Sequence, residues 1–295
     1  MYSYPKIARE RAENMARAAK SEPERGLAFQ GAPGANSYLA ALEYDPKGLP
    51  LPCFSFSDAI DAVKRGDADR AMIPIENSQH GRVADIHFLL PESGLHIIDE
   101  FFIPIHHCLM SKSDGPFSSV LSHPQALGQC RHYLKEHGIT PVSYADTAGA
   151  AAAVAMSDDV NIAAIAPAIA ADMYGLKMIA ENIEDADHNM TRFVVLARDA
   201  VVPPADIPVM TSLLFEVKNI PAALYKAMGG FATNGVNSTK LESYIRGDNF
   251  SAAEFYLDII GMPGDPAVDR ALDELRFHSK WVRILGSYKQ SRERH

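Results

Sequence analysis

Three cysteines, Cys53, Cys108 and Cys130, are all that the 295 residues carry, and no two form a Cys-x-x-Cys pair. That count and spacing exclude a disulfide framework and a zinc knuckle, leaving reduced, partly buried thiols of a cytoplasmic protein as the plain reading. Positive charge is also scarce: 28 Lys and Arg stand against 37 Asp and Glu, a net charge of −9. Binding of nucleic acid by bulk attraction is thereby excluded, because phosphate neutralisation needs basic stripes. No apolar run reaches the roughly 18 residues of a membrane span. No apolar segment follows the mixed charges of residues 1–26, as a secretory signal would require, so these residues read as a flexible or loosely helical leader. The nucleotide fingerprints Gly-x-Gly-x-x-Gly and Gly-x-x-x-x-Gly-Lys-Ser/Thr are missing, and so is the Gly-x-Ser-x-Gly elbow. The 11 histidines include no His-Glu-x-x-His pair, so neither metal nor cofactor is expected. His106 and His107 are neighbours, which on a strand point to opposite faces.

What is present is a globular composition, 47% hydrophobic and 22% charged, which excludes global disorder. From Leu27 to about Arg198 short apolar runs alternate with helical patterns. Strands are predicted at 27–30, 52–56, 70–75, 119–122, 141–144, 161–165 and 193–197, and helices at 35–43, 57–65, 124–136, 147–156 and 167–173. Ser57 or Asp58 is the expected cap of the second helix, which ends at Gly66. This alternation predicts α/β structure with largely parallel sheets. The apolar stretch from Leu95 to Lys112, with Pro104 inside it, predicts two strands joined at a bend. Together with Phe193–Ala197 it supplies two crossovers between two lobes, about 27–103 with 188–200 and about 104–187.

Three prolines between Val201 and Pro208 mark a boundary. Beyond it the order becomes β-α-β-β-α-β, a ferredoxin-like plan over residues 209–288. Its second helix carries Val268, Ala271, Leu272 and Leu275 on one face, and a turn is predicted at Arg246–Asn249.

Polar residues recur beyond strand ends, where open α/β sheets bind ligands. These are Gln30, Asn77, Ser78, Ser122 and Gln125, with Thr147 opening a helix. Ser122 and Thr147 also suit ordinary helix capping. Asp187-His188-Asn189-Met190-Thr191-Arg192-Phe193 is polar up to Phe193. Arg192 opens an apolar strand, a placement that needs a carboxylate partner or a site.

Five stretches in order resemble the prephenate dehydratase family: Phe29-Gln30-Gly31-Ala32-Pro33-Gly34, Ile73-Pro74-Ile75-Glu76-Asn77-Ser78, Ser122-His123-Pro124-Gln125-Ala126-Leu127-Gly128-Gln129-Cys130, Asp146-Thr147-Ala148-Gly149-Ala150-Ala151 and Asn189-Met190-Thr191-Arg192-Phe193. The ferredoxin-like segment resembles an ACT domain, an amino-acid-sensing module. The resemblance implies a two-lobed, periplasmic-binding-protein-like catalytic domain over 27–200 and a regulatory ACT domain over 209–288. It implies decarboxylating dehydration of prephenate to phenylpyruvate, without a cofactor, in a cytoplasmic, monofunctional homodimer or homotetramer. No chorismate mutase domain is evident.

The same resemblance implies catalytic roles for Thr191, Arg192, Asn77, Ser122 and Gln129, with Thr191 donating toward the departing hydroxyl. Gln129, seven residues after Ser122, is expected on the same face about two turns on. Ser78, Gln125, Thr147 and Phe193 are the implied substrate-binding residues. Asn219, Ala222, Ala223, Leu224, Glu242 and Ser243 are the implied phenylalanine site. There the chain departs from the family: Pro221-Ala222-Ala223-Leu224 replaces Pro-Gly-Ala-Leu, and Glu242-Ser243-Tyr244-Ile245 replaces Glu-Ser-Arg-Pro. The alternatives are arogenate as substrate, or a non-enzymatic binder of an aromatic amino acid or keto acid.

Overall fold

The computed structural model describes residues 4–204, 206–244 and 254–294. The turn expected at Arg246–Asn249 and Ile245 lie outside the described residues. In chain order the elements are α1 (Lys6–Ser21), β1 (Gly26–Gln30), α2 (Asn36–Tyr44), β2 (Leu49–Cys53), α3 (Phe56–Arg65), β3 (Arg70–Asn77), β4 (Gly81–Arg82), α4 (Ala84–Ser93), β5 (His96–Pro104), β6 (Cys108–Ser111), β7 (Ser119–Ser122), α5 (Pro124–Gln129), α6 (Arg131–Glu136), β8 (Thr140–Ser143), α7 (Thr147–Met156), β9 (Ile162–Ala166), α8 (Ile169–Tyr174), β10 (Lys177–Ala180) and β11 (Met190–Ala197). There follow β12 (Val209–Val217), α9 (Ala223–Thr233), β13 (Ser238–Tyr244), β14 (Glu254–Ile260), α10 (Pro266–His278) and β15 (Ser279–Lys289). Two compact units divide the chain: Met1–Val83 with Phe101–Phe193, and Ala84–Glu100 with Val194–His295.

One sheet runs β2-β1-β3-β11-β5, with β4 on β3, and a second runs β10-β6-β9-β7-β8. The β1–β2, β1–β3, β7–β8 and β7–β9 pairs are parallel, as the alternating pattern predicts. The second sheet is nevertheless mixed, because β6 pairs antiparallel with both β9 and β10. The stretch 95–112 does form two strands, β5 and β6, with His106 and His107 in the bend rather than on either strand.

Local chemistry explains the helix ends. Ser55, not Ser57 or Asp58, caps α3: its hydroxyl accepts from the Asp58 N–H at 3.1 Å, and the Asp58 carboxylate accepts from the Ser55 N–H at 3.1 Å. That reciprocal pair is a capping box. The single helix expected over 124–136 is two, α5 and α6, meeting at Cys130. The break follows from a distant residue. The Asp185 carboxylate accepts from the N–H groups of Arg131 and His132 at 3.2 and 3.0 Å, capping a new helix start. Asp146, rather than Thr147, caps α7 by accepting from Gly149 N–H at 2.6 Å, and His123 caps α5 by accepting from Gln125 N–H at 3.3 Å.

Within the leader read as flexible or loosely helical lies a 16-residue helix, α1. Ala8, Ala12 and Ala19 are buried on it, and it packs on β1 and β2 of one sheet and on α7 beside the other. Tyr4, just before it, and Ala8 join a core with Ala148, Ala151, Ala152 and Met110. The three cysteines are free and buried, and burial raises the thiol of Cys53 to about 12.

In the second unit β13-β14-β12-β15 form an antiparallel sheet. With α9 and α10 this is the expected β-α-β-β-α-β order. Val268, Ala271, Leu272 and Leu275 of α10 are all buried against Phe215, Phe231 and Leu257. Gly286 on β15 lies so close to Ile97 that a Cβ there would meet the Ile97 carbonyl oxygen at 1.9 Å. Only glycine fits that approach. Nearby, Glu100 is buried and pairs with Arg294 at 2.6 Å, while Ser291 N–H donates to its Oε1 at 3.1 Å.

Candidate active site

The polar residues beyond β3 and at the start of β11 form one network. β3 and β4 make a tight hairpin in which Asn77 pairs with Gly81. The Asn77 Oδ1 accepts from the backbone N–H groups of Gln79 and His80, both at 3.0 Å, which holds the turn shut. Ser78 fastens this turn to β11. Its N–H donates to the Met190 carbonyl at 2.8 Å, and its hydroxyl accepts from Met190 N–H at 2.9 Å and donates to the His188 carbonyl at 2.8 Å.

With its oxygen committed to the turn, Asn77 offers its Nδ2 to the site. That group donates to Asn189 Oδ1 at 2.7 Å and to Thr191 Oγ1 at 3.0 Å. Asn189 passes the pattern on, donating from Nδ2 to Gln129 Oε1 at 3.1 Å. Gln129 donates from Nε2 to Gln79 Oε1 at 3.1 Å, and its Oε1 lies 2.5 Å from His107 Nε2. Groups attached to the first sheet therefore meet groups attached to the second. Thr191 is 9% exposed and Asn189 4%, so these bonds form largely out of water, where each is strengthened.

The electrostatics are those of neutral dipoles beside one screened charge. Arg192 is 2% exposed and pairs with Glu76 at 3.2 Å. Glu184 accepts from His107 N–H at 2.8 Å and lies 2.7 Å from His106 Nδ1. Burial pushes the Glu184 carboxyl up, but hydrogen bonds from His107, His106 and its own backbone N–H together outweigh it and the net shift is downward. Burial lowers the pKa of His107 below the ordinary histidine value, against the opposing pull of Gln129 and Glu184. Among the described residues no group of three or more His, Cys, Asp and Glu side chains is placed to hold a metal ion.

Of the residues singled out from sequence, Thr191, Asn77, Gln129 and Ser78 come together here. Arg192 sits beside them but turns to Glu76. Phe193 is 1% exposed, as a core residue of β11. Ser122 is fully buried at the end of β7, and its hydroxyl donates to the Ile165 carbonyl at 2.6 Å. It lies on a strand, not on the helix of Gln129, so the two-turn relation between them does not hold. Gln125 is exposed in the first turn of α5, and Thr147 is half-buried at the start of α7. In the second unit Asn219, Ala222, Ala223 and Leu224 lie between β12 and the first turn of α9, while Glu242 and Ser243 lie on edge strand β13. Glu254 of β14 pairs with both Glu216 and Tyr244, so both groups are at the same end of the sheet. Sequence reasoning missed His107, Asn189, Gln79 and Glu184. His107 was weighed only as a metal ligand, and Asn189 stood inside a quoted motif without a role.

The family model for prephenate dehydratase matches residues 27–201. The chain belongs to the prephenate dehydratase family. As a member of that family it is a lyase. It is 47% identical to a bifunctional N-acyl-homoserine lactone acylase/prephenate dehydratase of Komagataeibacter europaeus over 91% of this chain and 97% of that one. It is 39% identical to arogenate dehydratase/prephenate dehydratase 1, chloroplastic, of Arabidopsis thaliana, over 89% of this chain and 71% of the relative. The structure of a prephenate dehydratase from Arthrobacter aurescens in complex with L-Phe superposes with a TM-score of 0.81 at 31% identity, covering 90% of each chain. Within the prephenate dehydratase match fall Asn77, Gln129 and Thr191, while α1 lies outside it.

Proposed function

We propose that the protein converts prephenate to phenylpyruvate. The C1–carboxylate bond breaks and releases CO2, its electron pair enters the ring, and the C4–oxygen bond breaks with the hydroxyl leaving as water. Aromatisation drives the step, so the protein positions the substrate and protonates the leaving group. The observation that carries this reading is the hydrogen bond at 3.0 Å from Asn77 Nδ2 to Thr191 Oγ1. It fixes the threonine oxygen as an acceptor and leaves its own proton to be offered to the departing hydroxyl. A threonine hydroxyl is a weak acid, so Thr191 acts as an oriented donor in a relay that solvent refills. Gln129 and Asn77 hold that donor, and the Arg192–Glu76 pair shapes the field around it. Gln125 and Thr147 are the proposed contacts for substrate carboxylate, with Ser122, Ser78 and Phe193 as framework.

The ferredoxin-like segment is read as an ACT domain over 209–288 that binds phenylalanine near Asn219–Leu224 and Glu242–Ser243 and lowers turnover. Exposed Ile220, Tyr225 and Leu241 on this segment support its use in a homodimer or homotetramer. The test is phenylpyruvate formation from purified protein and prephenate, with and without phenylalanine, followed by arogenate under the same conditions. Preference for arogenate, with phenylalanine as product, changes the substrate and keeps the site. A folded sample that turns over neither leaves a binding protein for aromatic acids.

A second reading comes from the bifunctional relative. Its likeness over nearly the whole of both chains supports an added acyl-amide cleavage by this chain. Release of homoserine lactone from an N-acyl-homoserine lactone tests it, and absence of release returns the protein to a single activity.

A further inference from the structure

The His107 ring is buried and unused in the reaction just described. Its main chain is held at two points, the N–H donating to Glu184 Oε2 at 2.8 Å and the carbonyl accepting from Ile183 N–H at 2.9 Å. Its Nε2 meets Gln129 Oε1 at 2.5 Å. Its Nδ1 is buried with no hydrogen-bond partner among the described residues. An amide oxygen offers only lone pairs, so the proton of this contact is on Nε2 and the bare nitrogen is Nδ1. A second proton on Nδ1 would create a buried imidazolium with no acceptor for it. The titratable groups around the ring are Glu184, which favours that charge, and His106 and His80, which oppose it when protonated.

The consequence falls on Gln129. Its Oε1 faces two donors, His107 Nε2–H and Asn189 Nδ2, while its Nε2 faces the acceptor Gln79 Oε1 and lies 3.1 Å from His80 Nδ1. Turning the amide over would set its NH2 against both donors and its oxygen against Gln79 Oε1. Asn77, whose oxygen is held by two backbone N–H groups, fixes the Asn189 amide from one side, and His107 Nε2–H faces Gln129 Oε1 from the other. The ring could follow such a turn only by moving its proton to Nδ1, where no acceptor stands among the described residues.

We propose that His107 is a positioning residue for the dehydration: its Nε2–H anchors the amide of Gln129 at the far end of the network that runs through Asn189 and Asn77 to the hydroxyl of Thr191. The proposal rests on the reading of Thr191 as the donor to the leaving hydroxyl. His107 touches neither substrate nor reacting atoms and acts through four side chains.

Three variants test it. His107→Leu removes the donor, His107→Asn carries one too short to reach, and His107→Gln restores an N–H of similar reach. His107→Leu and His107→Asn are expected to lower kcat about tenfold to a hundredfold, as a misplaced catalytic group does. KM should change much less, and His107→Gln should recover most of the loss. Nitrogen-15 spectra of the histidine-labelled wild type, with His107 assigned by its loss in His107→Gln, are expected to show the neutral Nε2–H form from pH 7 to 8. A proton on Nδ1 in that range overturns the proposal, and so does wild-type kcat in a folded His107→Leu or His107→Asn. A wild type without turnover on prephenate or arogenate overturns the dehydratase reading instead, and the nitrogen spectrum still decides the tautomer.

Discussion

Asn77 and Thr191, 114 positions apart in the chain, meet through a single hydrogen bond of 3.0 Å in which the amide donates and the hydroxyl oxygen accepts. The direction of that bond sets the first expectation. Thr191→Ala should fold and lose about a hundredfold or more in kcat, within the usual contribution of a general acid. Thr191→Ser should keep most of the activity, and Thr191→Val should lose as much as alanine. Phenylpyruvate formation is the measurement, and near-wild-type turnover by Thr191→Ala would remove Thr191 from the mechanism.

The Arg192–Glu76 pair gives a stability expectation. The arginine is 2% exposed, whereas the Glu76 side chain is 30% exposed, so the two losses are unequal. Glu76→Gln should cost about 3 kcal/mol, because it removes a carboxylate paired with a buried guanidinium. Arg192→Met leaves a carboxylate that water can reach and should cost less. Denaturant midpoints at constant m-value decide the order, and equal losses would contradict it.

Ala222 sits at φ 60°, ψ 22°, in the left-handed region, at the start of α9. A Cβ is strained there, and this is the position where the family places glycine. Ala222→Gly should raise stability by about 1 kcal/mol, the strain relieved exceeding the entropy that glycine adds to the unfolded chain. A calorimetric scan checks this. Loss of stability would show that the surrounding loop already accommodates the methyl group.

The pH dependence of stability should fall in two stages. His107 has a lowered folded pKa, so its contribution is complete above its unfolded value of about 6.5 and declines as pH drops through the folded one. Glu184 is also lowered, so its contribution is complete above about 4.5 and is lost further into acid. Glu184→Gln should shrink the lower stage, to which Asp45 beside Arg70 and Glu216 beside Lys280 also contribute, and leave the upper. Urea unfolding at intervals from pH 7.5 to 3.5 reads both, and an unchanged acid limb in Glu184→Gln would assign that limb to other carboxylates.

The alternation of strands and helices was legible because each element carries its own apolar period, and α10 shows it plainly in Val268, Ala271, Leu272 and Leu275. The features that escaped are set by residues far apart in the chain. The break at Cys130 is made by Asp185, which no window around Cys130 contains. Helix α1 hides its buried face because alanine is small, and Ala8, Ala12 and Ala19 stand among charges that dominate any average. The candidate site divides the same way. Thr191, Asn77 and Gln129 were marked by motif, yet the direction of the Asn77 amide is set by the backbone of Gln79 and His80, and Gln129 meets His107 and Asn189 only in the folded chain. Ser122 shows the reverse error: placed at the end of its strand as observed, it was expected to share a face with Gln129, whereas its hydroxyl donates to the Ile165 carbonyl.

Helix α1 touches β1 and β2 on one side and α7 on the other, with Tyr4 against Gly149 of α7 and 6.4 Å, ring to ring, from Phe54 beyond β2. A hinge motion that parts the two sheets must therefore peel this helix from one of them or unravel it. Any such opening would be coupled to the fraying of these sixteen residues. Their amide protons become a clock for the opening of the enzyme.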